Sequence, residues 1–204
     1  MRKAEGRKAD SRQRIVDAAS SLFRQYGIDG VGVDAVMHAA GMTHGGFYGH
    51  FASKEALVAE VCSAALARSA ARWERISHNA EPAEALGQIV DRYLDPAHVT
   101  AWESGCVLAA LGPEVARRPE ARTAMTRPVR AMLAALERCI PDASQEQAKA
   151  SLSAMVGAVI LARLADDPAM AEGFLDAVKH AVLRGHPGQA GATPGEKARE
   201  AGSA

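Results

Sequence analysis

Apolar positions along this chain recur at three- and four-residue spacing, the period of helices rather than of half-buried strands. The first clear run is "DSRQRIVDAASSLFRQYG", in which Ile15, Ala18, Ala19, Leu22 and Phe23 share one helical face. Asp10 is placed to cap this helix, with Gln13 at capping-box distance, and Gly27 is placed to end it. Residues 1–9 are expected to be disordered. "VDAVMHAAG" predicts a short second helix with Val33, Val36, Met37 and Ala40 inward and Gly41 at its end. "HGGFYGHF" follows as a third, capped by Thr43. Ser53 opens a fourth, through Leu57, Val58, Val61, Ala65 and Leu66 to about Ile76.

Beyond "SHNAEP" a new set of helices begins. Pro82 suits a first turn, and Leu86, Ile89, Val90, Tyr93 and Leu94 mark the buried face. A short helix is expected over Ser104 to Leu111, stopped by Gly112-Pro113. A long one runs from Pro119 to about Ile140, with a kink at Pro128. Ser144 and Gln147 form a second capping box, opening a helix to Leu164. Asp167-Pro168 starts a last helix that Gly185 ends, and the Gly/Pro/Ala-rich tail is expected to be disordered.

Composition narrows the class. Of 204 residues, 48% are apolar but only 4% aromatic, which favours an all-α protein. The formal net charge is zero, so bulk charge gives no argument for a nucleic-acid partner. Yet Met1–Arg14 carries Arg2, Lys3, Arg7, Lys8, Arg12 and Arg14 against Glu5 and Asp10, a basic arm on an acidic body. Cys62, Cys106 and Cys139 are far apart and form no CxxC, so neither a disulfide framework nor a zinc site is indicated, and a reducing cytoplasm fits. No secretory signal is read at the charged N-terminus. "AMVGAVILA" is too short to span a bilayer.

The chemistry concentrates in "GMTHGGFYGHFASKEAL", Gly41–Leu57. Two short helices joined by Gly41, Met42 and Thr43 describe a helix-turn-helix. Each glycine inside a helix costs about 1 kcal/mol relative to alanine. Gly45, Gly46 and Gly49 in one short helix therefore call for a reason, and clearing a face for close approach to DNA supplies one. Phe47 and Phe51, four apart, are expected to anchor that helix. Tyr48 and His50 can donate to phosphates, His44 can reach base edges, and Lys54 adds a positive charge beside the flanking phosphate. A zinc site from His38, His44 and His50 is possible on spacing, but no cysteine is nearby, and no such site is expected.

On these residues the segment of about 10–60 resembles the DNA-binding domain of the TetR family of bacterial transcriptional repressors. The pattern "AAGMTHGGFYGHFASKEAL" carries the resemblance: Ala-Gly, a capping Thr, Gly-x-Phe-Tyr-x-His-Phe and Ser-Lys-Glu-x-Leu. It implies a DNA-binding domain over 9–69, an effector-binding and dimerisation domain over 70–186, and a tail at 187–204. It implies a cytoplasmic, nucleoid-associated homodimeric repressor, not an enzyme, that grips double-stranded operator DNA and is released by a small-molecule inducer. The dimer would form through the last two helices, about 145–164 and 168–183, where Ala154, Gly157, Ala158 and Ala162 permit close packing. Thr43, His44, Gly45, Tyr48 and His50 would lie in the recognition helix, with Lys54 at the start of the next. Two departures stand out. Gly32 and Val33 occupy the place of the usual Thr or Ser before the second helix, and the recognition helix lacks Arg and Lys. Guanine reading is then expected from the Arg2–Arg14 arm.

"SGCVLAALGPEV" resembles a stretch of one branch of the family, in which a Gly-Cys pair opens a helix near the ligand pocket. Cys106 is thus a candidate sensor thiol at a helix N-terminus, or a small buried hydrophobe. Trp73, Trp102 and Met155 are candidate pocket walls. No cofactor or metal is expected. The rival classes are a thiol-dependent helical enzyme using Cys106 with His98 as base, and a regulator without a ligand.

Overall fold

The computed structural model describes the backbone of residues 2–140 and 145–184 and the side chains from residue 6 of that range. The described residues are helical, with no strand among them. α1 spans Arg2–Tyr26 and α2 Val33–Ala39; a 3₁₀ turn follows at His44–Gly49. α3 (Lys54–Asn79), α4 (Pro82–Tyr93), α5 (Pro96–Thr100), α6 (Val107–Ala116), α7 (Pro119–Cys139), α8 (Gln145–Leu164) and α9 (Pro168–Arg184) complete the chain.

α3 is the spine. Its N-terminal half buries Leu57, Val58 and Val61, and it packs against α1, along α7 and against α4. Burying one such side chain contributes ~1.5–3 kcal/mol, so this continuous apolar stripe ties the N-terminal helices to the rest. α8 and α9 pair with one another.

Four elements differ from the sequence expectation, each for a local reason. α1 begins at Arg2, so residues 2–9 are helical and Asp10 caps nothing. Only Gly6 opposes helix among residues dominated by Lys, Ala, Glu and Arg, and Gln13 donates to Asp17 at 3.0 Å instead of reaching back to a cap. The third helix is a 3₁₀ turn, bonded from Gly46 N–H to Thr43 carbonyl at 3.0 Å. Thr43 takes the capping position with extended backbone, but its hydroxyl accepts no capping bond. α6 starts at Val107 and runs through Gly112-Pro113 to Ala116. A proline inside a helix costs about 3 kcal/mol; the burial of Leu111 and Val115 on either side offsets a cost of that size. α5 was not read from the sequence at all: it is a single turn, too short for a periodic signal, held by Asp95 Oδ1 accepting from Ala97 N–H at 2.7 Å. The expected second capping box at Ser144, the terminator Gly185 and the tail lie outside the described residues.

Candidate nucleic-acid interface and effector cavity

The helix-turn-helix is closed by two glycines in the left-handed region. Gly27, at φ +77°, ends α1, and Gly41, at φ +67°, ends α2. At Gly41 the ending is a Schellman motif: Met42 N–H donates to Met37 carbonyl at 2.8 Å and Gly41 N–H to His38 carbonyl at 2.9 Å. A side chain at 41 would be strained there and would meet Arg14 Nη2 at 2.8 Å. This turn aims the His44–Gly49 segment. Phe47 and Phe51 stack at 5.7 Å, both buried, and pin it to the core.

What remains outward is a compact polar face. Tyr48 is 66% exposed, in edge contact with Phe47 and, at 6.3 Å between centroids, with His44. His44 Nδ1 is hydrogen-bonded to Asp34 of α2, which leaves Nε2 without a partner among the described residues. A Cβ at Gly45 or Gly49 would meet nothing within 4 Å, whereas one at Gly46 would touch Met37 Cε at 3.6 Å. Gly46 therefore faces the protein, and the cleared face is made by Gly45 and Gly49. Thr43 is exposed beside it. Lys54 opens α3, whose first turn is capped by Ser53 Oγ accepting from Ala56 N–H at 3.1 Å. His50 is half-buried, and its Nδ1 has no hydrogen-bond partner among the described residues.

The basic arm is partly consumed. Arg12 lies over the Phe51 ring at 4.0 Å, donates to the His50 carbonyl and pairs with Glu60. Arg14 donates to the Ala40 carbonyl. Both brace the helix-turn-helix from α1 instead of extending toward a partner, and Arg7 and Lys8 are left exposed on α1.

A second site lies in the C-terminal half. A cavity of about 1300 Å³ opens between α3, α4 and the segment around α5. Trp73 and Cys106 line it; Trp102 and Met155 do not. Trp102 is half-exposed under the Arg163 guanidinium at 4.4 Å, and Met155 is buried in the core. Tyr93 and His98, in ring contact at 4.8 Å, were missed as wall residues because their proximity is tertiary.

Gly105-Cys106 sits at a junction. Arg24 of α1 donates to the Gly105 carbonyl at 2.9 Å. Arg163 of α8 donates to the carbonyls of Val99 and His98 at 3.1 and 3.2 Å, and a Cβ at Gly105 would lie 2.5 Å from its Nη2. The same Cβ would lie 3.0 Å from the Ala101 carbonyl oxygen, so a side chain at 105 is crowded by backbone as well. Cys106 caps α6 and is 5% exposed. Its N–H donates to His98 Nε2 at 2.8 Å, while His98 Nδ1 bonds the Tyr93 carbonyl at 2.6 Å. The structure thus does bring His98 to Cys106, but the imidazole lone pair is taken by a backbone N–H, so it is not a free base for the thiol. Burial lowers the His98 pKa; the Tyr93 carbonyl opposes this, and Arg163 adds to the lowering. Burial pushes the Cys62 thiol up to about 12 and that of Cys139 up to about 11.

The two halves are joined by α6 and α7. Glu114 accepts from Ile28 N–H at 2.8 Å, and Arg118 bridges Asp29 and Glu55. These contacts had no sequence signal, because partners more than sixty residues apart share no local pattern. Among the described residues no helix is long and apolar enough to cross a membrane, and no group of three or more His, Cys, Asp or Glu could hold a metal.

Among the described residues, an all-helical arrangement carrying this helix-turn-helix has the geometry of a DNA-binding module. Residues 15–61 match the family model of bacterial regulatory proteins, tetR family. The HTH-type transcriptional regulator AcrR of Shigella flexneri is 37% identical over 60 residues, 29% of this chain and 28% of that protein. The match thus spans little more than a quarter of that relative's length. Over most of both chains the fold is shared with the reduced form of Escherichia coli NemR, at a TM-score of 0.72 and 22% identity, covering 84% of this chain and 96% of that one. A TetR-family regulator from Agrobacterium tumefaciens matches at 0.72 and 20% identity, covering 88% and 98%. Residues 15–61 thus match the tetR family's DNA-binding segment, and the chain as a whole shares the fold of these structures.

Proposed function

We propose that the protein is a dimeric cytoplasmic repressor that holds a near-palindromic operator and releases it when its C-terminal half is occupied or modified. The observation that carries the reading is the exposed Tyr48 beside open Gly45 and Gly49, all mounted on buried Phe47 and Phe51. Such a face lets backbone approach phosphate closely while one ring donates to it. Thr43, His44, Tyr48, His50 and Lys54 are its contact residues, and Gly45 its clearance; Gly46 serves packing.

With Nδ1 donating to Asp34, His44 in its neutral form offers Nε2 as an acceptor. Adenine N6 and cytosine N4 are the major-groove donors that match. His44→Ala is expected to shift preference at one base pair by roughly 1–3 kcal/mol. Tyr48→Ala and Lys54→Ala should weaken all sequences alike, and Lys54→Ala should flatten the log–log salt slope by about one. Selection of binding sites from random DNA reads all three; a His44→Ala profile identical to wild type removes the base-reading role.

The cavity supports a small-molecule inducer as the release signal. Its wall reaches the reading head through Arg24 and Gly105, and α8 through Arg163 and His98. Release is a population shift, requiring that the ligand bind the two states unequally. Cys106 supports a second route, since it lines the same cavity. Iodoacetamide is expected to release operator from wild type but not from Cys106→Ser. Cys62 and Cys139, buried with raised pKa values, stay unmodified under the same treatment. Equal release from both proteins, or release from neither, leaves Cys106 as packing.

Dimerisation is assigned to α8 and α9. Leu161, Leu164 and Met170 are exposed on these two helices, and Leu164 is 76% exposed. Large exposed apolar side chains on one helix pair suit a second copy of the same chain. Ala158 and Ala162 are buried within the protomer, so Gly157 and Leu161 are the positions that test this face.

A further inference from the structure

We propose, resting on the effector reading of the cavity, that its ligand is an organic acid: a flat apolar body carrying one anionic oxygen group. The charged residues of the wall carry the argument. Its acidic side chains are already engaged within the protein. Asp91 pairs with Lys179 at 2.6 Å, Asp95 accepts from Ala97 N–H at 2.7 Å, and Glu84 accepts from Gln88 at 3.0 Å. Arg72, Arg75 and Arg92 line the same cavity, and no ion pair or hydrogen bond engages their side chains among the described residues. Guanidinium groups only donate, and they match carboxylate or sulfonate oxygens two bonds at a time.

Deeper in the site Tyr93 lines the cavity with only 6% of its surface exposed, its hydroxyl beside the Cys106 thiol. The one imidazole acceptor nearby, His98 Nε2, is occupied by Cys106 N–H. The guanidinium groups of Arg72, Arg75 and Arg92 are therefore donors at the wall without a partner among the described residues, and an incoming oxygen acceptor satisfies them. Trp73 and Tyr93, edge to face at 5.7 Å, with Ile76 beside them, supply the apolar wall for a flat ring.

The test uses two fluorescent probes of one shape, anilinonaphthalene sulfonate and the uncharged N-phenylnaphthylamine. The full-length protein is expected to bind the sulfonate at least about tenfold more tightly than the neutral compound, the scale of one charge-assisted bond. Arg72→Gln and Arg92→Gln, both at exposed positions where the fold is not at risk, should erase most of that preference and leave neutral-probe binding unchanged. Equal affinity for the two probes, or a preference that survives in both arginine variants, overturns the inference. Operator release is read in parallel. Selective sulfonate binding that leaves the operator complex intact supports the anion site and removes the effector reading. Release by the neutral probe alone does the reverse.

Discussion

Gly45→Leu is expected to abolish operator binding while leaving the fold and the melting temperature unchanged. A Cβ at residue 45 meets nothing within 4 Å, so the added side chain has room inside the protein and costs little stability. It stands instead on the outer side of the His44–Gly49 turn, between that backbone and whatever approaches it. Holding the turn off by one side chain breaks the contacts of Tyr48 and of the α3 N-terminus together. Affinity should fall by about a thousandfold or more, to the level of non-specific binding. Gly46→Ala is the paired control. Its methyl makes ordinary contact with Met37 at 3.6 Å, and operator affinity should stay near wild type. Thermal unfolding and a gel-shift titration on both variants read the difference. A Gly45→Leu protein that binds as wild type does would mean that this face does not approach DNA.

Leu161→Glu and Gly157→Glu are expected to turn the dimer into monomers and to lose the full operator. Each would place a carboxylate in the apolar contact proposed between copies of α8 and α9, where an unpaired buried charge costs far more than one dimer contact returns. Leu161 is half-exposed, and a Cβ at Gly157 meets nothing within 4 Å, so neither change disturbs the protomer. A monomer keeps one reading head and loses the second set of contacts, which again brings binding toward the non-specific level. Sedimentation velocity decides. Intact dimers in both variants would move the interface off these helices. Ala158→Glu would not serve, because Ala158 is 2% exposed and the charge would unfold the protomer.

The helix-turn-helix was legible because its signals are local. Gly41, Phe47, Phe51 and Ser53 each act within a few residues of themselves, through a left-handed turn, a four-residue aromatic step and a cap. The faces of α3 and α4 were legible for the same reason, as apolar periodicity. Three kinds of feature were not. The inward orientation of Gly46 depends on Met37 in another helix, and a 3₁₀ turn moves side chains away from the positions an α-helix would give. The continuation of α6 through Pro113 is decided by packing of Leu111 and Val115, which outweighs the local preference of Gly-Pro. The meeting of Arg24, the His98–Cys106 segment and Arg163 joins three parts of the chain far apart in sequence. "SGCVLAALGPEV" pointed to Gly105-Cys106 as a helix opening, but not to the crowding of Gly105 by the Ala101 carbonyl and the Arg163 side chain.

The measurement that bears most directly on the account is retention and footprinting of the protein's own genomic DNA. Purified wild-type protein and a Tyr48→Ala/Lys54→Ala double variant are each mixed with fragmented genome, and retained fragments are sequenced and footprinted across a salt series. The account predicts a small set of fragments sharing a near-palindromic site. Protection should fall in two patches about one helical turn or more apart, log affinity should decrease linearly with log salt, and the double variant should lose retention. Fragments without a common site, or retention by the double variant equal to wild type, would contradict it.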